Sequence, residues 1–275
     1  MLKAFALLVI GCAVAVTSSP AQMFGIGSGF LGSGWTLYRV DAFDTAPSRV
    51  DIASIGKQLT DMAIVPNGTA YAIDATGNLY QMNLLTGAIV SMFTIPAFQN
   101  SLDAANDFTL YSWGFIDQTV YRIDLLTATF APVVNTGFQA SGDLALDPNG
   151  VDLFGAAFAN HLIRINLNTL VVTDIGIMFV APGLVVPGLD FDASGQLYAT
   201  SGNSGTGATE VFAVDKTTAG TTLIGDISGA GNYGMSINAT AVAPEPATLL
   251  LLAPGLAVVG ALRRRRGLRR DEEAY

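Results

Sequence analysis

Asp61, Asp103, Asp143 and Asp190 are the residues whose type and spacing most directly suggest chemistry. Each lies in a short aliphatic run. Asp61-Met62-Ala63-Ile64-Val65 leads into Pro66-Asn67-Gly68, and Asp143-Leu144-Ala145-Leu146-Asp147 into Pro148-Asn149-Gly150. Leu189-Asp190-Phe191-Asp192 leads into Ala193-Ser194-Gly195, and Leu102–Ala105 is a fourth run with weaker punctuation. Aligned on their turns, Asp61 falls level with Asp143. Asp103 falls level with Asp190 two positions further along, and in an extended strand positions two apart share a face. Four carboxylates on one face make a candidate Ca²⁺ site, since that ion takes 6–8 oxygen ligands. The competing reading is that these aspartates start turns or cap strand ends.

Other chemistry is scarce. His161 is the only histidine and Cys12 the only cysteine. A Cys/His zinc cluster is excluded, and a Ser-His-Asp triad would have to run through His161, which reads as a surface or structural residue. Glu210 and Glu245 are the only glutamates between positions 22 and 246, which disfavours a glutamate-containing metal centre. Gly25-Ile26-Gly27-Ser28-Gly29 lacks the preceding strand and following helix of a phosphate-binding loop and reads as part of a flexible leader, 22–34. Asn67-Gly68-Thr69 and Asn238-Ala239-Thr240 match a glycosylation sequon but read as turn chemistry. Trp35, Trp113 and the tyrosines are candidate stacking platforms for sugar rings.

The elements that position these residues repeat. Five segments share one template: Leu37-Tyr38-Arg39-Val40-Asp41, Leu79-Tyr80-Gln81-Met82-Asn83, Val120-Tyr121-Arg122-Ile123-Asp124, Leu162-Ile163-Arg164-Ile165-Asn166 and Val211-Phe212-Ala213-Val214-Asp215. Their terminal Asp or Asn residues stand 42, 41, 42 and 49 positions apart. The longer last interval contains the Gly/Ser/Thr-rich insertion Ser201–Glu210. These segments are β-rich, and the Asx side chain is placed to bond its own backbone two residues on. With the turn-linked pairs before them and a further strand after them, each period holds four short strands. That is the signature of a β-propeller blade, and five blades fit the chain. Trp35–Gly56 holds only the third and fourth strands of a unit, and Tyr233–Val242 resembles a first strand. Joining them closes the ring across positions 35–243. A large β-sandwich or an open solenoid is the competing architecture. The template resembles the loose repeat of quinoprotein-type bacterial propellers, which implies architecture but no single activity.

Both ends read as targeting segments. Lys3 precedes the apolar run Ala4–Val16, and Ser19-Pro20-Ala21 offers small residues for cleavage before Gln22, the pattern of a secretory signal peptide over 1–21. At the other end Pro244-Glu245-Pro246 precedes an uncharged stretch, 247–262, and then Arg263, Arg264, Arg265 and Arg266. At 1.5 Å per residue the stretch spans about 24 Å as a helix, near the thickness of a hydrocarbon core, and the arginines stop transfer. The order and spacing over 244–266 resemble the PEP-CTERM sorting signal, followed here by a charged tail, 267–275. That resemblance implies a Gram-negative exporter of exopolysaccharide, a transmembrane helix at 247–262, and processing near Pro244, Glu245 and Pro246 by an exosortase-type protease.

Residues 22–246 contain 6 basic and 19 acidic side chains, a net charge of −13. Such a surface repels nucleic acid and anionic membrane and attracts cations. With Cys12 in the leader, the remaining chain has no disulfide and must be held by packing. The expectation is an exported all-β propeller that binds or scaffolds exopolysaccharide or an envelope protein without a resident cofactor, Ca²⁺ at the four aspartates aside. The alternative is a metal-dependent propeller hydrolase or lactonase.

Overall fold

A computed structural model describes residues 21–28, 35–96, 98–202, 209–227 and 232–238. The expected signal peptide 1–21, save its last residue, the expected sorting signal 244–266 with the helix expected at 247–262, and the tail 267–275 lie outside them. Among the described residues no helix is long and apolar enough to cross a membrane.

The chain forms five four-stranded antiparallel sheets. Strands β1 (Gln22–Ser28), β2 (Trp35–Asp41) and β3 (Ser48–Ile55) make three-quarters of one blade. Then come β4 (Asp61–Ile64), β5 (Ala70–Ile73), β6 (Asn78–Met82) and β7 (Ile89–Thr94). The third blade is β8 (Gln99–Asn106), β9 (Thr109–Gly114), β10 (Thr119–Asp124) and β11 (Thr129–Asn135). The fourth is β12 (Ala140–Leu146), β13 (Asp152–Ala157), β14 (His161–Asn166) and β15 (Val172–Ile177). The fifth is β16 (Val185–Phe191), β17 (Leu197–Gly202), β18 (Thr209–Val214) and β19 (Thr221–Asp226). The last strand, β20 (Asn232–Asn238), pairs with β1 and completes the first blade. Strands β4, β8, β12, β16 and β20 pack side by side in that order, and β20 returns to β4. The fold is a closed five-bladed β-propeller.

One boundary differs from the sequence expectation. Gln22–Ser28 is not a flexible leader: it is the second strand of the closing blade, held between β20 and β2. Its glycines are there for packing. A Cβ on Gly25 would lie 2.3 Å from the Tyr38 ring, so the strand presents bare backbone where the buried tyrosine crosses it. The ring is therefore shut by three strands from one end of the chain and one from the other.

Each blade obeys the same local rules. Four of the five template Asx residues, Asn83, Asp124, Asn166 and Asp215, make the anticipated turns, whereas Asp41 instead accepts from the Arg39 guanidinium. Asn83 Oδ1 accepts the amides of Leu85 and Thr86 at 2.9 and 3.0 Å, and Asp124 Oδ1 those of Leu126 and Thr127 at 3.0 Å each. Asn166 serves Asn168 and Thr169 in the same way. Each outermost strand carries a one-residue register shift against its neighbour, a bulge that blunts an otherwise exposed sheet edge. Alternation divides side chains between the two faces of a blade: Tyr71 and Ile73 pack toward the third blade, Ala70 and Ala72 toward the first. Five buried clusters result, one at each junction between blades. Apart from Phe212, every buried apolar side chain among the described residues belongs to one of these junctions, so burial of apolar surface and closure of the ring go together.

Candidate functional site

The four aspartates sit on the innermost strands, buried around the axis. Each takes the amide of its own successor on one oxygen and an amide from the next blade on the other. Asp61 accepts from Met62 and from Leu102 of β8, both at 2.7 Å. Asp103 accepts from Ala104 at 2.6 Å and from Leu146 of β12 at 2.5 Å. Asp143 accepts from Leu144 at 2.7 Å and from Leu189 of β16 at 3.1 Å. Asp190 accepts from Phe191 and from Ile237 of β20, both at 2.6 Å. At the fifth junction Ser236 takes over: its hydroxyl oxygen accepts the Ile64 amide of β4 at 3.1 Å, and its proton goes to Asp190 Oδ2 at 3.2 Å. The circuit passes through every blade.

Two tiers are present, as the alignment on turns anticipates. Asp61 and Asp143, on non-adjacent strands, lie close enough for each carboxyl to shift the other. Burial is the main reason that the carboxyls of Asp61, Asp103 and Asp143 are pushed well above the ordinary carboxylate range, and that of Asp190 up to about 7. Asp103 and Asp143 are raised further by the charge of Asp190. The space between the tiers is tight. A Cβ on Gly234 would lie 2.0 Å from Asp61 Oδ1 and 2.7 Å from its Cα, so β20 passes Asp61 as glycine.

This arrangement is not the cation cage that the sequence suggests. Among the described residues no group of three or more His, Cys, Asp or Glu side chains is placed to hold a metal ion. Ca²⁺ would have to compete with backbone amides for the oxygens of all four aspartates, and stripping those amides leaves buried donors unpaired at about 1–3 kcal/mol each. The turn-or-cap alternative also misses, because the second oxygen of each aspartate crosses to another blade. His161 lies at the start of β14, paired through Nδ1 with Asp174 Oδ2 at 2.9 Å on the half-exposed rim. No nucleophile lies among its hydrogen-bond partners.

The two ends of the axis differ in chemistry. At the end where the innermost strands finish, a cavity of about 400 Å³ is lined by Asp103, Asp147, Asp190 and Asp192 among prolines, small residues and larger apolar ones that include Phe191. Lys216 pairs with Asp147 there. At the end where they begin, a cavity of about 330 Å³ is lined by Thr60, Ala75, Phe98, Gln99, Asn100, Phe115, Ser141 and Phe158, with no charged side chain. Three of its walls are phenylalanines left 52%, 39% and 64% exposed, Phe98, Phe115 and Phe158 respectively. The backbone fixes them: the Phe98 amide donates to Ala75 O at 2.7 Å, that of Phe115 to Phe98 O at 2.8 Å, and that of Phe158 to Gln139 O at 2.9 Å. Four of the eight non-glycine residues with positive φ among the described residues lie in these connections, Phe98, Gln118, Ala159 and Asn160 at 61, 56, 60 and 62°, and the other four, Ala42, Ala128, Leu170 and Ala219, lie in turns elsewhere. Non-glycine residues in this region cost energy that the surroundings must supply, and such residues cluster at binding sites.

The stacking platforms are thus not those expected. Trp113 is completely buried against the fourth blade, Tyr38 is buried beside the closing strand, and Trp35 packs on the cluster between the first two blades. The exposed rings are phenylalanines: Phe98, Phe108, Phe115, Phe158 and Phe179 in connections, and Phe130 within β11. The sequence signal for those in connections is an aromatic residue where turn residues are expected.

Gln99 completes the site. It is 1% exposed. Its Oε1 accepts the Ser112 hydroxyl at 2.8 Å, but its Nε2 has no partner. An unpaired buried amide of this kind costs about 1–3 kcal/mol.

These features define a closed propeller with a carboxylate-girdled axis and one uncharged aromatic end. The sequence matches no protein-family model and no curated protein. Among solved structures it is similar to a chain in the crystal structure of a nidogen/laminin complex, with 12% identity and a TM-score of 0.50 over 79% of this chain and 98% of that one. It also overlaps virginiamycin B lyase from Staphylococcus aureus, with 10% identity and a TM-score of 0.44 over 75% and 69% of the two chains. At these identities the likeness is one of fold.

Proposed function

We propose that this protein is an exported, non-enzymatic binding or scaffolding module of the cell envelope, and that its ligand docks on the phenylalanine end of the propeller. The supporting observation is the exposure of Phe98, Phe115 and Phe158 around an uncharged cavity. Exposed aromatic faces held rigidly by backbone hydrogen bonds bind C–H-rich surfaces at low entropic cost. The engagement of the axial carboxylates with amides favours a structural role for them over metal-assisted hydrolysis. Exopolysaccharide is the ligand best matched to a neutral, aromatic surface on a chain whose charge is otherwise strongly negative.

Calorimetric titration of the whole chain, held in detergent micelles, with exopolysaccharide from the producing cell tests this. Saturable binding is expected, weakened at least tenfold when Phe98, Phe115 and Phe158 are all replaced by serine. Undiminished binding by that triple variant would place the ligand elsewhere and refute the reading.

The route to the envelope belongs to the same proposal. The signal peptide over 1–21 directs export, and the PEP-CTERM-like segment holds the chain at the membrane until an exosortase-type protease cuts near Pro244, Glu245 and Pro246. Mass spectrometry of the protein recovered outside the membrane should find an N-terminus at Gln22 and no Arg263–Arg266. Recovery there with the arginines intact argues against the processing.

A further inference from the structure

We propose that the cavity at the phenylalanine end is a subsite for a single neutral sugar residue, whose hydroxyl or acetamido oxygen accepts a hydrogen bond from Gln99 Nε2 while its C–H face packs on Phe98, Phe115 and Phe158. This rests on reading that end as the binding face, and it names the chemistry that the face selects. The unpartnered amide is the deciding observation. Gln99 is held on its other side by the Ser112 hydroxyl, whose one proton is shared between Gln99 Oε1 and Ser101 O, each at 2.8 Å. The backbone carbonyl of Gln99 is held by the Thr60 hydroxyl at 3.1 Å. Gln99 thus lines the cavity, and its Nε2 lies covered behind that wall without a partner, 3.4 Å from where a Gly114 Cβ would stand.

Three ligand classes are sorted by this geometry. A charged group entering an uncharged cavity loses its hydration with no counter-charge to replace it. A purely apolar group leaves the amide as unpaired as it was. A neutral ring with hydroxyls satisfies the amide and the phenyl faces together, and about 330 Å³ lies at the small end of ligand pockets. Asn100, whose Nδ2 donates to Ala140 O at 3.2 Å, and Ser141 add further polar groups around the rim. Because Nε2 is covered in the empty cavity, entry requires a small displacement of lining side chains, and the exposed phenylalanine rings can turn.

Saturation-transfer NMR and calorimetry on the whole chain in micelles, with glucose, galactose, N-acetylglucosamine and glucuronate as probes, test the proposal. At least one neutral sugar should bind, and glucuronate at least tenfold more weakly. Gln99→Met, close in volume but with no donor, should weaken the neutral sugar about tenfold while leaving the thermal midpoint unchanged or higher, since an orphaned polar group has been removed. Binding of glucuronate equal to the best neutral sugar, no binding of any neutral sugar at 10 mM (roughly the weakest affinity worth calling a site), or full binding by Gln99→Met overturns the subsite. If exopolysaccharide binding falls in the phenylalanine triple variant but not in Gln99→Met, the face stands and the subsite does not. If neither variant affects it, both are wrong.

Discussion

Replacing Asp190 with alanine lowers the thermal midpoint by about 10 °C. The carboxylate accepts the amides of Phe191 and Ile237 and the hydroxyl of Ser236. Removing it leaves two buried backbone donors unpaired, at about 1–3 kcal/mol each. For a domain of this size each kcal/mol moves the midpoint by roughly 2–4 °C. The loss is concentrated where it matters most, because Asp190 joins β16 to β20, the strand that shuts the ring. Asp174→Ala is the matched control. That carboxylate pairs with His161 at the half-exposed rim, where such pairs contribute about 1 kcal/mol or less, so its midpoint should move by no more than a few degrees. Calorimetry on the two variants decides the matter. Equal, small shifts would show that the axial hydrogen bonds do not hold the ring together.

Stability should also run against the usual pH trend above the acid range. Burial raises Asp190 to about 7 and the other three axial carboxyls well above their ordinary range. Where a group's pKa is higher in the folded than in the unfolded chain, the folded state binds more protons, and stability falls as pH rises between the two values. For Asp190 that window runs from about 4 to about 7, and Asp61, Asp103 and Asp143 deepen the decline. The opposite groups act lower down. At Asp74 the upward push of burial is outweighed by hydrogen bonds from Thr76, Asn78 and Tyr80, which together hold the carboxyl below its ordinary value. Asp124 and Asp215 are lowered by their turn partners, Thr127 and Thr217. Their contribution disappears only as pH falls below about 4. The midpoint should therefore peak near pH 4 and stand about 10 °C lower at pH 8, taking several kcal/mol for the combined carboxyls. A midpoint that is flat or rising from pH 5 to pH 8 contradicts the raised values. Asp190→Asn should shrink the decline whatever its own effect on stability.

Repetition made the blades legible, because a unit that must bury both faces against copies of itself repeats its strand pattern and its turn chemistry. The Asx turns at Asn83, Asp124 and Asn166 and the paired levels of the aspartates followed from spacing alone. What spacing cannot carry is the identity of a partner on another blade. Asp61 meets Leu102 and Asp143 only once the ring is closed, so a face of carboxylates looked like a cage for a cation instead of a set of clasps. Gln22–Ser28 was obscured for a related reason. Its glycines answer to the Tyr38 ring, a demand that arises in three dimensions, while in one dimension they look like slack. The aromatic end was hidden because Trp and Tyr are the usual candidates for sugar contact, yet here their bulk fills the junctions between blades. The smaller phenylalanines of that end stand in the connections, where no strand pattern marks them.

Because β20 supplies the innermost strand of the blade that β1 to β3 begin, the toroid has a clasp made from the last of its own strands to be synthesised. Until Asn232–Asn238 emerges, the first blade lacks its inner rail and the last has no neighbour on one side. Asn238 also precedes the proposed cut near Pro244, so trimming the sorting segment would leave the fastening untouched.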